Sequence, residues 1–125
     1  MAIDLKIYPF NLLIAKYDSK GMWLPYYAHL LDTAGIMEKL CNHWLPAHIV
    51  DIIVAENSSI QLEKLCMFIA LVHDIGKATP IFQAKICDRS PYLKQRIIAG
   101  GFEIQQTSQF LDATRTPHSF AGEAL

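Results

Sequence analysis

Leu62-Glu63-Lys64-Leu65-Cys66-Met67-Phe68-Ile69-Ala70-Leu71-Val72 runs straight into His73-Asp74-Ile75-Gly76-Lys77. Leu62, Leu65, Cys66, Ile69 and Ala70 recur at helical spacing, and the same spacing carries the stripe on to His73. The reading is a buried helix with His73 on its apolar side and Gly76 as its C-terminal stop. An imidazole and a carboxylate adjacent at a helix end suit one divalent cation. His29 lies well upstream and His118 well downstream, so further ligands come from other helices.

Working outward, the chain reads as helices separated by short breakers. Pro25 at a first-turn position opens a helix to about Trp44, with Leu30, Ala34, Met37, Cys41 and Trp44 on one stripe. His29, Asp32, Thr33 and Ile36 share an adjoining face. Pro46 starts a second helix to about Glu56. Asn57-Ser58-Ser59 is a break, and Ser58 with Gln61 fits a capping box before the third helix. Thr79-Pro80 and Ser90-Pro91 each pair an N-cap residue with a first-turn proline, which predicts helices over about 80–87 and 91–99, the latter ended by Gly100-Gly101. A turn or two of helix is expected around Phe102–Leu111, and a last helix over Pro117–Leu125. Period-2 alternation is confined to Leu5–Tyr8. The expected fold class is all-α, a helical bundle in one domain, 1–125.

Composition narrows the function classes. With 125 residues and 52% hydrophobic content, the chain is apolar for its length, since a domain of this size buries roughly two-thirds of its unfolded surface. Some apolar surface is therefore expected to meet a further segment or a partner. Leu65–Val72 is too short to span a bilayer, which needs about 20 apolar residues, so no membrane association is expected. No secretory leader is readable, and a cytoplasmic location is the default. Cys41, Cys66 and Cys87 form no C-x-x-C pair and read as reduced, buried thiols. The net charge of −1 argues against general nucleic-acid binding, but its distribution is uneven. Residues 1–76 carry five lysines against eight acidic residues. Residues 77–96 carry Lys77, Lys85, Arg89, Lys94 and Arg96 against Asp88, a net +4 beside the His-Asp pair. Such a block steers a phosphate-rich substrate; it equally suits a solvated helix face.

Imidazole and carboxylate suit manganese, nickel, cobalt, iron or zinc, with magnesium also admissible for a carboxylate, and one or two ions are compatible with the set. The chemistry is hydrolysis of phosphate esters, because a bound cation acidifies its water and neutralises charge on phosphoryl oxygens. Lys77, about one turn past Asp74, offers a point charge to a substrate phosphate. Plainer readings stand beside these. A His-Asp pair also suits a C-cap histidine next to a solvated aspartate. His29 and His118, taken singly, suit structural histidines. His43 and His48 read as surface or capping residues, Asp32 and Thr33 as groups that orient or pack near His29, and Phe82 as core.

Several blocks together resemble the N-terminal HD nuclease domain of the CRISPR-associated helicase–nuclease of type I interference systems. They are Ala15-Lys16, then Leu24-Pro25 with His29-Leu30-Leu31-Asp32-Thr33-Ala34. Leu71-Val72-His73-Asp74-Ile75-Gly76-Lys77-Ala78 follows with Phe82-Gln83, and Pro117-His118-Ser119-Phe120-Ala121-Gly122 comes last. The resemblance implies an all-α HD domain that cleaves single-stranded DNA with divalent transition metals. It implies that His29, His73 and Asp74 hold a first metal and that His118 helps hold a second. Asp74 and Lys77 take the catalytic positions, with Lys77 contacting substrate or ordering the site. The implied partners are single-stranded DNA, a helicase domain on the same or a separate chain, and an RNA-guided surveillance complex.

The family pattern continues with two adjacent histidines and a later aspartate, and no histidines are adjacent here. The expectation is an N-terminal portion, incomplete at its C-terminus, that binds metal weakly and cuts poorly alone. Two other readings compete: an HD-type phosphohydrolase of nucleotides or small phosphate esters, and a non-catalytic helical remnant.

Overall fold

The computed structural model describes residues 10–54, 59–111 and 117. Within them a 3-10 turn, Phe10–Leu12, leads into a short hairpin of β1 (Ile14–Tyr17) and β2 (Trp23–Pro25). Five helices follow: α1 (Tyr26–Lys39), α2 (Ala47–Val54), α3 (Ser59–Val72), α4 (Pro80–Cys87) and α5 (Pro91–Ala99). The predominance of helix bears out the all-α class. The hairpin is an addition, because strands of four and three residues are too short for alternation to register. The pairing is antiparallel, Ile14 with Pro25, Lys16 with Leu24 and Tyr17 with Trp23, and an irregularity at Ala15 breaks the inside–outside rhythm. The Asp18 carboxylate accepts from the Lys20 and Met22 amides at 2.9 and 2.8 Å, and Gly21 supplies the φ of +85° that turns the chain.

Hairpin, α4 and α5 enclose the main core of Ile14, Ile86, Cys87, Leu93 and Ile97, with Tyr17, Trp23, Phe82, Phe102 and Ile104 packed around it. Phe82 is thus core packing, as expected. A second cluster, Leu13, Ala15 and Tyr26, sits under α1 with Leu30 and Ala78 against it. Ser90 accepts from the Leu93 amide at 3.4 Å and caps α5 as its sequence predicts. Thr79 precedes α4 but turns its hydroxyl back onto the Gly76 carbonyl at 2.6 Å. Gly100 closes α5 where a Cβ would fall 1.7 Å from Leu12 Cδ1, so any larger residue requires the Leu12 side chain to shift.

α1 packs along α3. Ala34 is buried on one side and Ala70 on the other, and the Cys41 and Cys66 thiols, both free, lie against each other. The α1 stripe holds through Cys41, but Trp44 is exposed, because the chain widens there into a π turn, Leu40–Trp44, which shifts the helical register. On α3 the expected stripe divides. Leu62, Cys66 and Ala70 turn inward, whereas Leu65, Ile69 and Phe68 are each more than half exposed. His73 continues the outer row, which corrects its expected burial. α3 also ends at Val72, ahead of Gly76, which lies inside the 3-10 turn Ile75–Ala78. The expected capping box at Ser58, the alternation at Leu5–Tyr8, and all of the last helix beyond Pro117 lie outside the described residues. Among the described residues no single helix is long and apolar enough to cross a membrane.

Candidate metal centre

Three elements deliver the site. His29 comes from the first turn of α1. His73 follows the last residue of α3. Asp74 sits in the bend between α3 and the 3-10 turn, at φ −107° and ψ 19°, a sparsely populated region often used where a side chain has to be aimed. Their ligand atoms all lie within 4.8 Å of one another. His29 Nε2 is 2.6 Å from Asp74 Oδ2, and His73 Nε2 is 3.1 Å from the same oxygen. The imidazole rings are 6.1 Å apart and tilted by 55°.

The histidines have different surroundings. The His29 side chain is 13% exposed and the Asp74 side chain 8%, while His73 is 44% exposed. The inner pair forms the floor and His73 the solvent-facing rim. His73 Nδ1 lies 2.6 Å from the Ala70 carbonyl oxygen, which can only accept, so Nδ1 carries the proton. In the neutral ring that leaves the Nε2 lone pair facing Asp74, the tautomer a metal ligand needs.

Lys77 joins this cluster from the 3-10 turn Ile75–Ala78. Its Nζ is 2.7 Å from Asp74 Oδ2 and 3.2 Å from His29 Nε2, and its side chain is 9% exposed. The sequence suggested a charge offered to substrate; here the ammonium points into the ligand set. Burial pushes the Asp74 carboxyl up, but hydrogen bonds from Lys77 and His29 and the nearby Lys77 and His73 charges outweigh it and hold it down at about 2. Asp74 is therefore an anion at neutral pH. Burial and the Asp74 charge together raise the neighbouring Tyr26 hydroxyl.

Two neutral-capable imidazole nitrogens and one carboxylate form a donor set that suits a divalent transition metal. Of the expected ligands, His29, His73 and Asp74 come together, and His118 lies outside the described residues. His43 and His48 are exposed on the surface, as expected. Asp32 is exposed too, and the Thr33 hydroxyl donates to the His29 carbonyl at 2.7 Å, inside its own helix.

Sequence reasoning assigned Gln83 no role. It is 1% exposed and its amide is fully engaged. Oε1 accepts from the Ile14 amide at 3.1 Å, and Nε2 donates to the Ile14 and Lys77 carbonyls at 2.8 and 2.7 Å. One side chain thus joins β1 to the turn that carries Asp74 and Lys77. The signal available was a glutamine on an apolar stretch of helix, a polar group that needs partners when buried.

A histidine from an early helix converging on a His-Asp bend inside a helical domain defines the HD class. Residues 15–125 match the family model of the Cas3 HD domain, and the chain belongs to that family. It is 35% identical over 118 residues to the CRISPR-associated nuclease/helicase Cas3 of Streptococcus thermophilus, an alignment covering 86% of this chain and 13% of that protein. The chain thus spans a small part of the length of this curated relative. No solved structure gives a significant match.

Proposed function

We propose that residues 1–125 form a metal-dependent nuclease domain that hydrolyses phosphodiesters of single-stranded DNA in CRISPR interference. The observation that carries this is the convergence of His29, His73 and Asp74 ligand atoms within 4.8 Å. Manganese, nickel, cobalt, iron or zinc suits the donor set, with magnesium less favoured by the imidazoles. When bound, the metal supplies an acidified water and a Lewis acid for the phosphoryl oxygens. His29, Asp74 and His73 would hold the ion, His73 with its Nδ1 proton anchored on Ala70. Lys77 keeps the carboxylate ionised and oriented. His118 is assigned to a second ion by the family pattern alone. A helicase domain and an RNA-guided surveillance complex are the partners of this reading, by which the strand is presented. The Streptococcus relative, named as a nuclease/helicase, supports that assignment.

The test sets single-stranded DNA beside nucleoside monophosphates, each with Mn2+. Cleavage of the strand, lost in Asp74→Ala, supports the reading. Phosphate release from the monophosphates with the strand intact replaces it with a small-ester hydrolase. Inertness on both, with a melting temperature unmoved by Mn2+, leaves a non-catalytic helical module.

A further inference from the structure

We propose that the groove between the β1–β2 hairpin and α4 is a stacking subsite for the bases of a single-stranded polynucleotide. The inference deepens the nuclease reading, on which it rests for the nature of the strand.

The groove has a volume of about 720 Å³, within the range of roughly 300–1,000 Å³ common for sites that take small organic groups. Tyr17, Trp23 and Phe82 bring three aromatic rings to its walls, and Lys85 and Arg89 bring cations. Lys16 adds a third positive charge, against Asp18, whose carboxylate is already held by the hairpin turn. Flat apolar walls under a cationic rim match bases joined by phosphates.

The aromatic rings are held in place. The Arg89 guanidinium lies 5.3 Å from the Tyr17 ring centroid, and that of Arg96 lies 4.6 Å from the Trp23 centroid. Arg96 is not part of the groove wall, so Trp23 is backed by a cation on one side and lines the groove on another. Rings fixed beforehand lose little freedom when a base stacks on them. Lys77 belongs both to the groove wall and to the ligand cluster. A strand lying in the groove therefore shares a wall residue with the ligand cluster. Only unpaired bases can insert, because a duplex keeps its faces stacked internally.

The experiment uses the 125-residue chain with Trp44→Phe, which leaves Trp23 as the sole tryptophan. It is titrated in EDTA, so that no metal-dependent cutting occurs, with a short oligothymidylate and with an abasic strand of equal length. We expect the oligothymidylate to quench Trp23 emission and the abasic strand to bind about tenfold more weakly, as expected for loss of base stacking. Lys85→Glu with Arg89→Glu, checked for unchanged circular dichroism, weakens oligothymidylate binding about tenfold or more. Equal affinity for the two strands, absent binding, or binding that leaves Trp23 emission unchanged overturns the subsite. Cleavage of the same oligothymidylate with Mn2+ scores the nuclease reading separately. Cutting without quenching sinks the groove alone, and quenching without cutting sinks the nuclease alone.

Discussion

The Lys77 ammonium lies 2.7 Å from the Asp74 carboxylate, one of the three grouped ligands. It is also 3.2 Å from His29 Nε2. That nitrogen, 2.6 Å from Asp74, has to give a proton to the carboxylate or take one from Lys77, and it cannot do both. A positive charge fixed there opposes a second cation. Replacing Lys77 by Met should lower the Kd for Mn2+ by about tenfold, roughly 1.4 kcal/mol, in isothermal titration. The melting temperature of the metal-free variant should fall, because a buried carboxylate has lost its strongest partner. Unchanged or weaker Mn2+ binding would refute the competition.

Acid should reveal Asp74. Its carboxyl is held at about 2 in the fold against an ordinary 3.8. A depressed carboxyl stabilises the fold above its unfolded value, and that contribution disappears as pH falls through the folded value. The metal-free chain should lose about 2 kcal/mol between about pH 4 and pH 2 through this group. Urea titrations across that window, compared with Asp74→Asn, isolate it. Parallel pH dependences in the two proteins would rule it out.

His73 should separate metal capture from folding. Its side chain is 44% exposed, so His73→Ala should change metal-free stability by less than about 0.5 kcal/mol. Mn2+, Ni2+ or Co2+ should raise the melting temperature of the parent, since a ligand of the folded state alone stabilises it by mass action. The same ions should leave His73→Ala nearly unmoved. An equal rise in both proteins removes His73 from the ligand set.

Gln83→Leu keeps the volume and deletes three buried hydrogen bonds. The Ile14 amide and carbonyl and the Lys77 carbonyl then lose their partner, at a cost of about 1–3 kcal/mol per unsatisfied group. Denaturant unfolding should show a loss of about 3 kcal/mol or more. A loss below about 1 kcal/mol would show that these backbone groups find other partners.

Two leucines should respond oppositely to their similar settings in sequence. Leu93 is fully buried between α4 and α5, and Leu93→Ala should cost about 2–5 kcal/mol. Leu65 is mostly exposed on α3, so Leu65→Ser should stay within about 0.5 kcal/mol. A large loss at Leu65 would mean that the outer face of α3 is packed.

The prolines and Ser90 made α4 and α5 readable, since cap and first-turn preferences are local. The His73-Asp74 pair with His29 was equally legible, because chemistry restricts which residue types can share an ion. Burial on α3 was not. Leu62, Cys66 and Ala70 form one row and Leu65, Ile69 and His73 the next. Periodicity says which residues share a row, but only the position of α1 decides which row is covered. The hairpin escaped for the reason that its pairing is non-local in effect: Ile14 is stabilised by Gln83, sixty-nine residues away. Lys77 likewise reads as a surface charge until its position beneath Asp74 is known.

The amide of Gln83 grips β1 with two hydrogen bonds and the carbonyl of Lys77 with a third. Prying the hairpin away from α4 therefore drags on the bend that aims the Asp74 carboxylate. Wedge and anvil are bolted together by a single uncharged side chain, so whatever strains one is felt at the other without any helix having to move.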